Sequence, residues 1–117
     1  MKSGNAVQIK SYDFALRIIK VYKYLCQEKK EFVLSKQLLR SGTSIGANIE
    51  ESIGGQSKAD FFAKITIAYK ETRESKYWIR LLRDSEYLTM EQSEDLLKDV
   101  EELLKIIGSI QKTVRNS

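Results

Sequence analysis

An apolar stripe at helical spacing runs through residues 35 to 82 and is broken only at Gly54-Gly55. In SKQLLRSGTSIGANIEESIGG, Leu38, Gly42, Ile45, Gly46, Ile49 and Ile53 fall on one side of a helix turning about 100° per residue. Gly42 and Gly46 sit one turn apart within that stripe. A glycine in a helix interior costs roughly 1 kcal/mol, so two of them beside isoleucines point to a neighbouring helix that approaches closely.

Proline is absent from all 117 residues, and 31% of them are charged. With long helical-period patterns, these features predict an all-helical fold and disfavour a turn-rich β architecture. The length fits one domain, 1–117, with little room for an enclosed substrate cavity. No segment approaches the roughly 18 uninterrupted apolar residues of a membrane span, and no secretory apolar region opens the chain. The expectation is a soluble, cytoplasmic, bacterial protein. Cys26 is the single cysteine and cannot form an internal disulfide, in keeping with a reducing compartment.

Four helices follow from the pattern. After a polar lead, residues 1–10, Ser11 is placed to cap a helix with Phe14, Ile18, Val21 and Leu25 inward. Ser35 is placed to cap a second helix that stops at Gly54-Gly55. Ser57-Lys58-Ala59-Asp60 reads as a capping box with Asp for Glu, opening a third helix through Phe61, Ile65, Ala68, Thr72, Ser75, Ile79 and Leu82. Thr89-Met90-Glu91-Gln92 is a second capping box, leading a fourth helix that buries Leu96, Val100, Leu103, Ile107, Ile110 and Val114. Connections this short make neighbours antiparallel, which predicts an up-down four-helix bundle.

Two helices carry more apolar surface than a lone bundle needs. Ile67, Trp78 and Leu81 lie well away from the core stripe of the third helix, and Tyr12, Leu16, Ile19 and Cys26 lie opposite that of the first. A second face with a tryptophan anchor predicts a subunit interface, hence a homo-oligomer. Charge is uneven as well. Residues 1–34 carry seven Lys/Arg against three Asp/Glu and residues 58–85 seven against four, while residues 86–117 reverse to four against seven. Lys70, Arg73, Tyr77 and Arg80 share an outward strip of the third helix, and Lys20 and Lys23 add cations on the first. Two readings stand: an ordinary solvated face, or a strip that meets phosphates and stacks a base once an oligomer multiplies it.

Catalysis finds no constellation to rest on. The chain has no histidine, which removes the commonest general base and the Glu-x-x-His pattern of di-iron bundles. Neither a phosphate loop nor a dinucleotide glycine fingerprint is present. Cys26 has no visible partner base. Glu50 and Glu51 are adjacent and point about 100° apart. Glu71 and Glu74 have the spacing to share a metal, but neighbouring Lys70 and Arg73 offer surface pairing instead. Neither catalytic residues, metal nor cofactor is expected.

The runs QLLRSGTSIGANIEES and QSKADFFAKITIAYKETRESKYWIRLL resemble the bacterial four-helix-bundle family of 23S ribosomal RNA intervening-sequence proteins. The likeness spans Phe14 through the fourth helix. It rests on Leu38-Leu39-Arg40-Ser41, Ser44-Ile45, Ala47-Asn48-Ile49 with Glu51, and Ser57 with Phe61, Ile65, Ala68, Glu71, Glu74, Tyr77, Trp78 and Leu82. At the helix junction Glu50 and Ser52 stand where many members have Ala and Gly, and Gly55-Gln56 stand where an Arg is frequent. That departure removes a phosphate-contacting arginine from the loop. The resemblance implies homopentameric barrels of four-helix protomers. Relatives that accompany diversity-generating retroelements are basic accessory subunits associating with a reverse transcriptase and nucleic acid. The family name describes a genomic location better than a mechanism. The resulting expectation is a non-enzymatic homo-oligomeric scaffold that binds RNA or DNA through basic helix faces, the alternative being a protein-binding accessory subunit with no nucleic-acid affinity.

Overall fold

The computed structural model describes residues 2–117, with side chains from Ala6 onward. Among these residues are four helices and no strand: α1 (Lys2–Gln27), α2 (Leu34–Ile53), α3 (Lys58–Asp84) and α4 (Met90–Arg115). No helix among them is long and apolar enough to cross a membrane.

Side chains that satisfy free N–H groups set most of the helix starts. At α4, Thr89 accepts from the Gln92 N–H at 3.1 Å and the Gln92 side chain accepts from the Thr89 N–H at 2.9 Å, closing the expected capping box. Ser57 caps α3 by accepting from the Asp60 N–H at 3.1 Å, but the Asp60 side chain makes no return bond to the Ser57 N–H, so the expected box is only half formed. The start of α2 differs from expectation, because Ser35 lies inside the helix and Glu31 does the capping. The Glu31 carboxylate accepts from the N–H groups of Val33 (3.2 Å), Leu34 (3.0 Å) and Ser35 (2.7 Å), and the Ser35 hydroxyl donates to the Glu31 carbonyl at 2.7 Å. Burial pushes the Glu31 carboxyl up, but those N–H bonds outweigh it and hold the group below the usual carboxylate range.

The polar lead is also helical. α1 begins at Lys2, nine residues ahead of Ser11, and only Met1 of the lead lies outside the described residues. Val7 explains the difference, since it is buried and carries the core stripe of α1 two turns upstream of Phe14. Ser11 is therefore a buried seam residue whose hydroxyl donates to the Gln8 carbonyl at 3.2 Å. At the other ends, α2 stops before Gly54 as the glycine pair predicts. α3 ends with the Tyr87 N–H on the Leu82 carbonyl at 2.9 Å and the Glu86 N–H on the Arg83 carbonyl at 3.0 Å. Glu86 takes φ 67° there, in the left-handed region where glycine is usual at a helix end of this type.

In α2, α3 and α4 the buried seam advances in alternating steps of three and four: Ser35, Leu38, Gly42, Ile45, Ile49 and Ser52 in α2; Ile65, Ala68, Thr72, Ser75, Ile79 and Leu82 in α3; Ser93, Leu96, Val100, Leu103 and Ile107 in α4, with Ser41 and Glu71 buried beside it. This is the repeat that keeps one seam facing its partners. It places Ser52 in the core of α2 and turns Ile53, expected in the stripe, out to solvent. Ile110 and Val114 are half-buried near the end of α4. Burying each Leu or Ile side chain is worth about 1.5–3 kcal/mol relative to exposure, so these stripes are the main stabilising term.

Small residues let α1, α2 and α3 pack closely. A Cβ at Gly42 would stand 2.8 Å from Ile18 Cγ1 and 2.9 Å from Ile18 Cγ2, so glycine is required where α2 crosses α1. Gly46 is looser, its nearest α1 atoms, in Ser11, being 3.5 Å from the same construction. Between α2 and α3 the Ser75 and Ser41 hydroxyls meet at 2.9 Å inside the bundle. α2 packs on both α1 and α3, and α3 packs on α4, whereas α1 and α4 touch along a thin seam. Ion pairs Arg17–Asp99 and Lys10–Glu102 bridge that seam beside a cleft of about 420 Å³. The product is an up-down bundle 46 × 21 × 19 Å.

Candidate functional site

α3 presents different chemistry on its two flanks because adjacent residues in a helix point about 100° apart. The run Lys70-Glu71-Thr72-Arg73-Glu74 sends its carboxylates toward α2 and its cations away. On the α2 flank, Arg40 donates to Glu71 at 3.0 Å and also pairs with Glu74. The Ser44 hydroxyl donates to Glu71 at 3.1 Å, and the Trp78 indole N–H donates to Glu74 at 3.0 Å. Glu71 is only 7% exposed. The cation serving Glu71 and Glu74 thus comes from α2, correcting the expected pairing with Lys70 and Arg73. No group of three or more Cys, Asp or Glu side chains among the described residues is arranged to hold a metal.

The other flank of α3 opens toward α4. Tyr69, Arg73, Lys76, Tyr77 and Arg80 line a cleft of about 310 Å³ closed by Leu104 of α4. Lys76 is held by Glu101 at 2.8 Å, but Arg73 and Arg80 are exposed and take part in none of the ion pairs among the described residues. Tyr77 is 52% exposed, its ring braced edge-on against Trp78 with centroids 5.1 Å apart. The Tyr69 ring lies over Gly108, where an added Cβ would stand 3.5 Å from Cε1.

Three of the six sequence-predicted nucleic-acid residues, Arg73, Tyr77 and Arg80, are therefore brought into one cleft. Lys70 is exposed on the same helix but does not line it. Lys20 and Lys23 are exposed on α1, which does not pack on α3, so they form a separate basic patch. Tyr69 and Lys76 join the cleft from outside the strip expected from the sequence, although Tyr69 stands four residues before Arg73 and eight before Tyr77 along the same helix. Arg40 belongs to a run on which the family likeness rests, but its pairing with Glu71 and Glu74 carries no sequence signal, because the register of α2 against α3 is a tertiary property.

Residues expected at a subunit interface divide into two kinds. Tyr12 (65% exposed) and Leu16 (45%) flank a groove of about 350 Å³ between α1 and α2, with Ile19 beside them and Thr43, Gly46 and Ala47 from α2. Ile67 is exposed on α3, whereas Trp78 and Leu81 are half-buried and Trp78 packs against the core. Cys26, expected on the same face as Tyr12, is half-buried with its sulfur 3.9 Å from the Ser35 hydroxyl.

Comparison with known proteins agrees with this architecture. No curated protein matches the chain. A protein of unknown function from the S23 ribosomal protein family of Bacteroides thetaiotaomicron VPI-5482, solved by crystallography, is similar at 53% sequence identity with a TM-score of 0.93. The match covers 94% of this chain and 98% of that one. Residues 4–109 match the family described as 23S rRNA-intervening sequence protein, and the chain belongs to that family.

Proposed function

We propose that this protein works as a non-enzymatic, homo-oligomeric helical scaffold that binds RNA or other nucleic acid through its basic helix faces. The observation that carries the reading is Arg73 and Arg80, two exposed arginines outside the ion-pair network that line one cleft with Tyr77. Arg17, Arg40 and Arg83 are each engaged with a carboxylate, and Arg115 lies over the Phe62 ring, 5.8 Å from its centroid. Cations left unpaired on a chain of net charge +4 are available for phosphates. A single subunit offers few such contacts, so assembly matters: copies in a ring add their phosphate contacts together. Support for assembly comes from the apolar groove between α1 and α2 and from exposed Ile67, two unlike surfaces of the kind that heterologous ring contacts use. A pentamer is the state implied by the family likeness.

Light scattering on the intact protein, combined with RNA and DNA binding across a salt series, tests both parts. The expected result is an oligomeric mass and an affinity that falls steeply with salt and varies little with sequence. A monomer mass at micromolar concentration removes the assembly. An intact oligomer that binds neither RNA nor DNA at low ionic strength replaces this reading with a protein-binding accessory subunit.

A further inference from the structure

We infer that the cleft between α3 and α4 is a subsite for single-stranded nucleic acid, taking one unpaired base against Tyr77 and the flanking phosphates on Arg73 and Arg80. The inference rests on the nucleic-acid reading above and narrows it to a strand type and a place.

Three features of the cleft select an unpaired nucleotide. Its volume of about 310 Å³ is at the small end of the range for ligand sites, of a size for one nucleotide rather than a duplex. Tyr77 is half exposed, yet its ring is braced by Trp78, so an aromatic surface is available without the cost of ordering a loose side chain. Tyr69 lies lower in the same cleft against Gly108 of α4 and gives it an aromatic wall. Arg73 and Arg80 are seven residues apart, two turns along the helix, or about 10 Å, and so bracket Tyr77 from either end. A base with its π-face free can stack on such a ring while cations track the backbone on both sides, the arrangement by which single strands are held without sequence reading. In a duplex the same faces are covered by neighbouring base pairs, leaving only phosphates for the arginines. An acidic peptide satisfies the arginines too, but its carboxylates leave the tyrosines unused unless it also carries an aromatic side chain.

The test measures anisotropy of a labelled, unstructured RNA 20-mer and of the same strand annealed to its complement, using the intact protein in its solution assembly state. The wild-type protein should bind the single strand more tightly. Tyr77→Ala should weaken the single strand about five- to hundredfold while changing duplex affinity less than twofold, and Tyr77→Phe should restore the single-strand value to within twofold. Tyr77 is exposed enough for the variants to fold, which circular dichroism checks. Equal affinity for both strands, or a Tyr77→Ala loss shared by both, overturns the stacking subsite while leaving nucleic-acid binding in place. Absence of binding to either strand overturns both. Polyglutamate displacing the single strand at equal charge as well as unlabelled RNA does would reassign the cleft to an acidic peptide.

Discussion

The bundle around α2 and the bundle around α4 are built from similar residues and finished in opposite ways. Around α2 the polar and small residues of the seams are spent internally: Gly42 lets Ile18 of α1 close in, Ser41 meets Ser75, and Arg40 serves both Glu71 and Glu74. Around α4 the packing is looser. The α1–α4 seam is thin, and the α3–α4 cleft leaves Arg73 and Arg80 unpaired beside tyrosines. The difference teaches that charge content alone does not mark a functional face. Lys70-Glu71 and Arg73-Glu74 look like two neutralised pairs in sequence, yet helical geometry directs the acids to one flank and the bases to the other. Once Arg40 satisfies the acids, the bases are left over.

The largest expected effect tests the closed side. Arg40→Ala should lower stability by about 2–3 kcal/mol in urea unfolding, because it strips the nearly buried Glu71 of its cation and leaves only the Ser44 hydroxyl. RNA affinity of the folded protein should be unchanged, since Arg40 faces α2's own partners. A change in stability within about 0.5 kcal/mol would mean that Arg40 behaves as an ordinary surface residue and that the two sides are less different than drawn.

Reversing the open side should do the converse. Arg73→Glu with Arg80→Glu should cut affinity for unrelated RNA sequences by about tenfold to hundredfold, roughly 1.4–2.8 kcal/mol, and flatten the salt dependence. Unfolding free energy should move by no more than about 1 kcal/mol, because neither arginine belongs to an ion pair among the described residues. Exposed Asp84 is held ionised by its hydrogen bond from Arg83, which the charge of Arg80 only assists. A double variant that keeps its RNA affinity places binding elsewhere, with Lys20 and Lys23 of α1 the next residues to reverse.

How much of this contrast was legible beforehand follows from which interactions are local. The Thr89–Gln92 box, the Ser57 cap on the Asp60 N–H and the stop at Gly54 are contained within a few residues and stand where the sequence pattern places them, the return bond from Asp60 excepted. The core stripe of α3 is likewise set by periodicity alone. Ser11 and Ser35 misled because serine is both a good cap and a small seam residue, and only the packed bundle decides between the two. Glu31 acts as a cap from outside the helix, which no short capping motif announces. For the candidate site, Arg73, Tyr77 and Arg80 could be grouped from one helix. The wall at Leu104, the ring of Tyr69 over Gly108 and the diversion of Glu71 to Arg40 depend on where α4 and α2 come to rest.

The glycines of the two sides sharpen the comparison at smaller cost. Gly42→Ala should destabilise by about 1–2 kcal/mol even though alanine is the better helix former. The added methyl would fall within 3 Å of both γ-carbons of Ile18, a fully buried β-branched side chain with little freedom at χ1. Unchanged or raised stability would show that α1 can back away and that the closed side is not tight.

Gly108→Ala is the counterpart on the open side and carries the smallest expected effect, with the opposite sign. Here the added methyl would meet Tyr69 Cε1 at 3.5 Å, an ordinary van der Waals contact with the end of an aromatic side chain that borders open space. The helix-propensity difference should then show through, raising stability by about 0.5–1 kcal/mol in urea unfolding. Because the methyl would touch the ring that walls the cleft, single-stranded RNA affinity read on the same variant reports whether the resting position of Tyr69 matters. Stabilisation with unchanged affinity assigns stacking to Tyr77 alone, and stabilisation with a loss of affinity brings Tyr69 into the subsite. A destabilised Gly108→Ala would place the α3–α4 side with the tightly packed one and dissolve the distinction between them.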